Sequence, residues 1–411
     1  MISHVRLALK VLGRRKFFTF ISLFGITLTL VVLMVATAIL DNVFAPRQPE
    51  SRFDRVLMIT TLGIYGPHFG RTAEPGFGFI ERYVKGLPGA EETSAFTTVQ
   101  SSAIFDQGVR IPTYVRWTDG AYWRVLDFQF VEGGPFSAAD DEQANFVVVI
   151  SDDLRQKLFG DEPALGRTIA IDGRGYRVTG VVPPVAISRA VAFSEMWMPI
   201  GTMKGNEFRR QTHGDFNAIV LASSPRDFER LRSELAARLD RFVFDDPKQF
   251  DRVVAGLDTP FEAVARQTLG NQVEGRAAIL RTILVGVALL FLALPTMNLV
   301  SINLSRILER APEIGVRKSF GASSGALVRQ FILENVVLTL AGGALGFALT
   351  VLVLRGLAAA DFLPHSDFEV NLRVFGYALL ITLGFGVVSG VYPAWRMSRL
   401  HPVDALRGGA Q

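Results

Sequence analysis

Four apolar stretches constrain this chain more than any other feature. Phe17–Leu40, Thr282–Leu304, Asn335–Leu354 and Val374–Trp395 contain no Asp, Glu, Lys or Arg. Each reaches the roughly 20 residues that a helix needs to cross a bilayer core. The chain has 411 residues, 49% of them hydrophobic, with a mean hydropathy of +0.30, and the apolar excess sits in those runs rather than being spread along the chain. The implied fold class is an integral membrane protein with four transmembrane helices. A large extracytoplasmic α/β (α+β) domain is inserted between the first two.

A net charge of +4 and a pI near 9.4 could suggest nucleic-acid binding, but the placement of the charges argues against it. His4, Arg6, Lys10, Arg14, Arg15 and Lys16 precede the first run. Arg306, Arg310, Arg317, Lys318 and Arg329 lie between the second and third, against Glu309 and Glu313, and Arg396, Arg399 and Arg407 follow the fourth. The loop between the third and fourth is balanced, with Arg355 and Arg373 against Asp361, Asp367 and Glu369. The positive-inside rule then predicts cytoplasmic termini, a cytoplasmic middle loop and residues 41–281 on the far side of the membrane. There is no cysteine, so that exported domain must stand on its core without disulfides.

The divisions that follow are an amphipathic cytoplasmic helix (1–16), a first span (17–40), an exported domain (41–281), a second span (282–304) and a cytoplasmic loop (305–330). A third span (331–354), a short outer loop (355–373), a fourth span (374–395) and a cytoplasmic tail (396–411) complete the chain. In the first segment Ile2, Val5, Leu9 and Leu12 share one helical face and Arg6, Lys10 and Arg14 another, which suits contact with anionic membrane lipids. Ala36-Thr37-Ala38 resembles a signal-peptidase site, but the apolar run before it exceeds the usual 7–15 residues of a signal core, so an uncleaved anchor is expected.

In the exported domain, βα units are expected near 53–102 and 206–275, with a β-rich insertion near 103–205. Arg55–Thr60 and Phe216–Ala222 read as strands, Phe77–Leu87 and Pro225–Phe242 as helices. Phe228, Leu231, Leu235 and Leu239 line one face of the second helix. Thr168–Ile171 and Tyr176–Val182 flank Asp172-Gly173-Arg174-Gly175 as a hairpin. Pro295 should kink the second span, and Asn298, Ser301 and Ser305 suit hydrogen bonds between helices. Gly342, Gly343, Gly346, Gly386 and Gly390 would let helices approach closely, within the chain or between copies.

The loop from Glu309 to Gly325, ERAPEIGVRKSFGASSG, carries the densest local signals. Pro312 fits a first helical turn, Glu313 and Arg317 form an acid-before-base pair four apart, and Val316 and Phe320 share a face. Gly321 ends that short helix and Ser323 caps the next. Gly321-Ala322-Ser323-Ser324-Gly325 fits G-x-S-x-G, but a nucleophile elbow needs a strand-to-helix turn and a His partner, and this loop has neither. His4, His68, His213, His365 and His401 are scattered without metal-ligand spacing. Asp140-Asp141-Glu142 and Asp245-Asp246 read as solvated turns.

This segment resembles the signature of the MacB/FtsX-like permeases of ABC transporters, E-I-G-V-R-K-A-L-G-A followed by Q-F-L-x-E. The matches are Glu313, Ile314, Gly315, Val316, Arg317, Lys318, Gly321 and Ala322, then Gln330, Phe331 and Glu334; Ser319 and Phe320 depart from it. Gly390-Val391-Tyr392-Pro393-Ala394-Trp395-Arg396 and Pro402-Val403-Asp404-Ala405-Leu406-Arg407 are similar to the family's closing motifs. KLFGDEPALGRTIAIDGRGYRVTGVV (157–182) is similar to the family's periplasmic domain. The resemblance implies a permease in a bacterial inner membrane that is not itself an enzyme. Residues 313–318, 321 and 322 would couple to a dimer of ABC ATPase subunits, which bind ATP and Mg.

It also implies a second permease copy, identical or paralogous, with a periplasmic adaptor as a further possible partner. Motion transmitted through the membrane would drive efflux or lipoprotein extraction. The alternative within the family is activation of a cell-wall hydrolase. No G-x-x-x-x-G-K-[ST] occurs in the sequence, so no nucleotide cofactor is expected in this chain.

Overall fold

The structure, a computed structural model, describes residues 16–106, 109–309, 316, 320, 323–360, 365 and 370–398. It divides into two compact units. One comprises Met1–Asp41, Thr282–Phe362 and Asp367–Gln411; the other comprises Asn42–Arg281 with Leu363–Ser366. The described helices of eight or more residues are, in chain order, α1 (Lys16–Phe44), α2 (Asp152–Phe159), α3 (Phe228–Leu239) and α4 (Pro260–Leu269), then α5 (Arg276–Glu309), α6 (Ser324–Ala359) and α7 (Leu372–Ser398).

The first unit is helical. Along α1 the side chains of Phe17, Phe20, Phe24 and Leu28 are exposed, while Ile26, Leu30, Met34 and Ala38 are buried. An exposed apolar stripe of this kind is costly in water and natural against lipid tails. The buried stripe meets α6 at its glycines. A Cβ on Gly342 would stand 2.7 Å from Cγ2 of Ile26, and one on Gly346 3.1 Å from Cβ of Leu30. Gly343 faces α7 instead, its virtual Cβ 2.7 Å from Cδ1 of Leu379. These three glycines therefore bring helices of one chain together. Thr27 reinforces the contact by donating to the Gly342 carbonyl at 3.2 Å.

Thr19–Phe44 and Ile332–Ala359 are long and apolar enough to cross a membrane among the described residues. Helix α5 runs through Pro295 without interruption. The expectations for 1–15, 399–411 and most of 310–322 lie outside the described residues.

The second unit is α/β. Its strands are β1 (Val56–Ile59), β2 (Leu62–Tyr65), β3 (Gly70–Ala73), β4 (Ala90–Thr97), β5 (Gln100–Asp106), β6 (Val109–Thr118) and β7 (Glu132–Gly133), then β8 (Val147–Ser151), β9 (Thr168–Ile171), β10 (Arg174–Val182), β11 (Met196–Pro199), β12 (Phe216–Ala222) and β13 (Arg252–Ala255). One sheet runs β1-β12-β4-β6-β11-β8-β10-β7, with β5 added on β6 and β9 on β10; a second runs β13-β2-β3. The β6–β11 and β8–β10 pairs are parallel and the others antiparallel.

Period-2 alternation explains why whole strands are apolar. On β12, Ile219 and Leu221 join one core while Phe216, Ala218, Val220 and Ala222 join another. On β8, Val147 and Val149 enter the first core, and Val148 and Ile150 a third on the opposite face. Both faces of the large sheet are thus covered. The β9–β10 hairpin turns at Asp172 (φ 50°) and Gly173 (φ 77°), the paired positive values that a two-residue hairpin turn demands.

Two local expectations change. Phe77–Leu87 was expected as one helix. It is α-helical over Phe77–Phe79 and π-helical over Ile80–Val84, closed by the Lys85 amide donating to the Ile80 carbonyl at 2.9 Å. Arg238 on α3 donates to the carbonyls of Tyr83, Lys85 and Gly86, which holds the widened end. Asp140-Asp141-Glu142, expected as a solvated turn, stays near the surface but is helical. Ser137 and Asp140 form a capping box over the short helix Ala138–Glu142. Asp141 accepts from the Gly201 amide at 2.7 Å, and burial pushes its carboxyl up to about 6.

Candidate functional site

Of the segment expected to meet an ATPase, the structure describes Val316 and Phe320. Glu313, Ile314, Gly315, Arg317, Lys318, Gly321 and Ala322 lie outside the described residues. Val316 is helical, and the Phe320 amide donates to its carbonyl at 3.1 Å, the i to i+4 bond of a helical turn. Both side chains are exposed, Val316 at 47% and Phe320 at 88%. Two exposed apolar residues on one face are the kind of surface a protein partner covers. Just beyond, at the start of α6, Gln330 donates to Glu334 at 3.0 Å, so these two motif residues four apart hold each other.

The α/β unit contains a cavity of about 440 Å³. Its walls are the Pro260, Ala263, Val264 face of α4, the loop from Ile187 to Phe193, and the sheet face bearing Met58, Phe96 and Asn217. Phe44, at the end of α1, closes one side and packs edge-on against Phe261, with ring centroids 5.7 Å apart. The wall forms because α4 is fixed at both ends. Thr259 and Glu262 make a capping box with Pro260 at the first turn, and Arg266 pairs with Asp258 in the interior.

The floor is charged. Glu50 (1% exposed) accepts from Arg189 at 2.9 Å and from the Ala192 amide at 3.1 Å. Arg189 also donates to the Ala45 carbonyl, so the pair ties residues 45–50 to the 187–193 loop. Burial pushes the Glu50 carboxyl up to about 7, against the opposing pull of the Arg189 guanidinium. Beside them Arg116, on β6 and 2% exposed, reaches the carbonyls of Val191 and Ala190 and the Tyr122 hydroxyl. It lies over the Phe96 ring at 4.9 Å. Its Nε has no partner, and neither does Oγ1 of Thr60 in the same wall. Burial lowers the Arg116 pKa, yet a guanidinium starts so high that it stays charged. The floor therefore holds two guanidinium groups and one carboxylate.

None of Glu50, Arg116 or Arg189 stood out in the sequence. The available signal was Arg116 itself, a charge between Val115 and Trp117 on a strand with both neighbours apolar. Among the described residues no group of His, Cys, Asp and Glu could hold a metal ion.

The described chain is thus an α/β unit that follows one long apolar helix in sequence and precedes three more long helices. The MacB-like periplasmic core domain family matches residues 19–238, and the FtsX-like permease C-terminal family matches residues 285–402. The chain belongs to the MacB/FtsX-like family of ABC transporter permeases, and residues 19–238 make it a membrane protein with a periplasmic-type domain. It is 27% identical over 332 residues to the uncharacterized ABC transporter permease YknZ of Bacillus subtilis, covering 80% of this chain and 79% of that one.

It is also 27% identical over 337 residues to the macrolide export ATP-binding/permease protein MacB of Chromobacterium violaceum, covering 80% of this chain but only 49% of MacB. The chain thus spans about half the length of that relative. The crystal structure of the YknZ extracellular domain aligns with a TM-score of 0.36 at 19% identity, covering 48% of this chain and 98% of that one. Permeases of this family work with ATPase partners.

Proposed function

We propose that the chain is the permease subunit of a mechanotransmitting ABC exporter. A partner ATPase binds ATP and Mg, grips the cytoplasmic segment at Glu313–Lys318, Gly321 and Ala322, and drives motion of residues 41–281 on the far side of an inner membrane. Four spans cross that membrane, with both termini cytoplasmic. The observation that carries this reading is the coexistence of the two family segments in one chain, separated by the passage into α5. The exposed Val316 and Phe320 support it, since a helical turn with a bare apolar face suits burial under an ATPase.

The permease acts as a pair of identical or paralogous copies, with a periplasmic adaptor where export crosses a second membrane. Efflux is favoured over hydrolase activation because the α/β unit is large, spanning Asn42–Arg281.

The test is charge reversal in the coupling segment. Glu313→Lys and Arg317→Glu should each abolish ATPase co-purification from mild detergent, and transport with it, while leaving the amount of chain in the membrane unchanged. Normal ATPase association in both variants would refute the coupling assignment. Recovery of a cell-wall hydrolase with the wild-type complex, in place of an adaptor, would favour the regulatory branch of the family.

A further inference from the structure

The cavity floor is electrostatically incomplete. Two buried guanidinium groups face one carboxylate, and Arg116 is satisfied by neutral carbonyls and a hydroxyl rather than by an acid. A buried charge without a counter-charge is strongly unfavourable, and buried polar atoms without partners are rare enough to require a reason. Arg116 Nε and Thr60 Oγ1 are two such atoms in one wall. Above this floor the walls are apolar, and the exposed residues Val264, Ile187 and Tyr114 mark the rim. A volume of about 440 Å³ lies inside the range of small-molecule sites, roughly 300–1,000 Å³.

We propose that this cavity binds an anionic amphipath, with its acidic head on Arg116 and its apolar body between α4 and the 187–193 loop. A carboxylate or phosphate head supplies the acceptor that Arg116 lacks, and charge-assisted hydrogen bonds of this type are the strong ones. The apolar body removes Phe44, Val264 and Ile187 from water. A neutral amphipath would leave the guanidinium uncompensated, and a cationic one would add a third positive charge. The raised pKa of Glu50 works in the same direction, because a proton on Glu50 leaves Arg189 without its acid as well. Every wall residue belongs to the unit Asn42–Arg281, so the site stands even if the ATPase-coupling assignment fails.

The head and chain could come from a membrane lipid or from a soluble amphipath, and the experiment separates the two. The full chain is placed in nanodiscs of phosphatidylcholine and irradiated with diazirine-bearing myristate added from solution. In a second arm, photoactivatable phosphatidylglycerol is built into the bilayer. Labelled peptides from α4 or from the 187–193 loop in either arm support the site, and the arm that labels names the source. Myristate should compete for the label at least about tenfold better than tetradecanol, the step expected of one charge-assisted bond.

Val264→Trp should abolish labelling by filling the rim, and Arg116→Gln should reduce the acid to the affinity of the alcohol. Equal competition by acid and alcohol on the wild-type chain would overturn the proposal. So would labelling that survives Val264→Trp, or labelling absent from both peptides in both arms.

Discussion

Replacing Glu50 by Gln isolates the charge at the cavity floor and should change how stability depends on pH. In the folded chain burial raises the Glu50 carboxyl from 4.5 to about 7, with Arg189 and Arg116 opposing the rise. A carboxylate whose folded pKa is raised binds its proton more tightly when folded than when unfolded. Its stabilising contribution is therefore complete below about 4.5 and is lost as pH rises through about 7. A carboxyl carried from 4.5 to about 7 corresponds to about 3 kcal/mol.

Gln cannot titrate and resembles the protonated acid in shape. Whatever constant offset the substitution brings, the stability of Glu50→Gln relative to the wild type should rise by about 3 kcal/mol between pH 4.5 and pH 8. Urea unfolding of the full chain in mild detergent, followed by tryptophan fluorescence, reads this directly, because Trp123 and Trp197 sit in the core of the α/β unit. Asp141 and Asp119, both raised by burial, and His213, lowered by it, also titrate. They do so equally in both proteins, so the difference curve belongs to Glu50. Parallel curves across that window would show that Arg189 keeps the acid ionised throughout, and would refute the argument.

Other perturbations test the packing. Gly342→Ala sets a Cβ 2.7 Å from Ile26 and should lower stability by about 1–3 kcal/mol. Gly356→Ala, on the same helix with open space around it, should be neutral or stabilising by up to about 1 kcal/mol. Thermal inactivation midpoints in one detergent compare the two. Arg266→Met strands buried Asp258, which pairs with Arg266 at 2.7 Å, and should cost about 3–5 kcal/mol in urea unfolding. Adding Asp258→Asn should recover most of that loss, and no recovery would mean that packing rather than charge dominates there.

What could be read in advance was whatever local chemistry decides. The four uncharged runs became parts of α1, α5, α6 and α7 because length and apolarity alone suffice for a membrane-length helix. Phe216–Ala222 and the Asp172-Gly173 turn were legible because an apolar β-branched run and a positive-φ pair leave few alternatives. The sheet order was not legible. Val56 pairs with Leu221 and Val115 with Met196, partners far apart in sequence that no local pattern announces. The π-turn at Ile80–Val84 has no local signal, because Arg238 from a distant helix holds the Tyr83 carbonyl and those of Lys85 and Gly86 just past the turn. Asp141 was misjudged because its partner, the Gly201 amide, is likewise remote. The 313–322 motif is a family pattern in the sequence, and the structure describes it at Val316 and Phe320.

The charged residues of the cavity floor converge from distant parts of the chain. Glu50, Arg116 and Arg189 come from a loop after α1, from the middle of β6 and from the loop before β11, so no local signal could join them. Stability gives little reason for the arrangement, since a buried ion pair replaced by apolar residues of similar volume is often neutral or stabilising. The Arg189–Glu50 pair at least fixes two loops to each other through the Ala45 carbonyl and the Ala192 amide. Arg116 has no such account, because Val191 and Ala190 could be tied down by a neutral donor at far smaller desolvation penalty. Arg116 does stack on Phe96 and oppose the rise of the Glu50 pKa, but its charge at the base of an apolar cavity exceeds what those contacts need, and the proposed anionic ligand would pair with it.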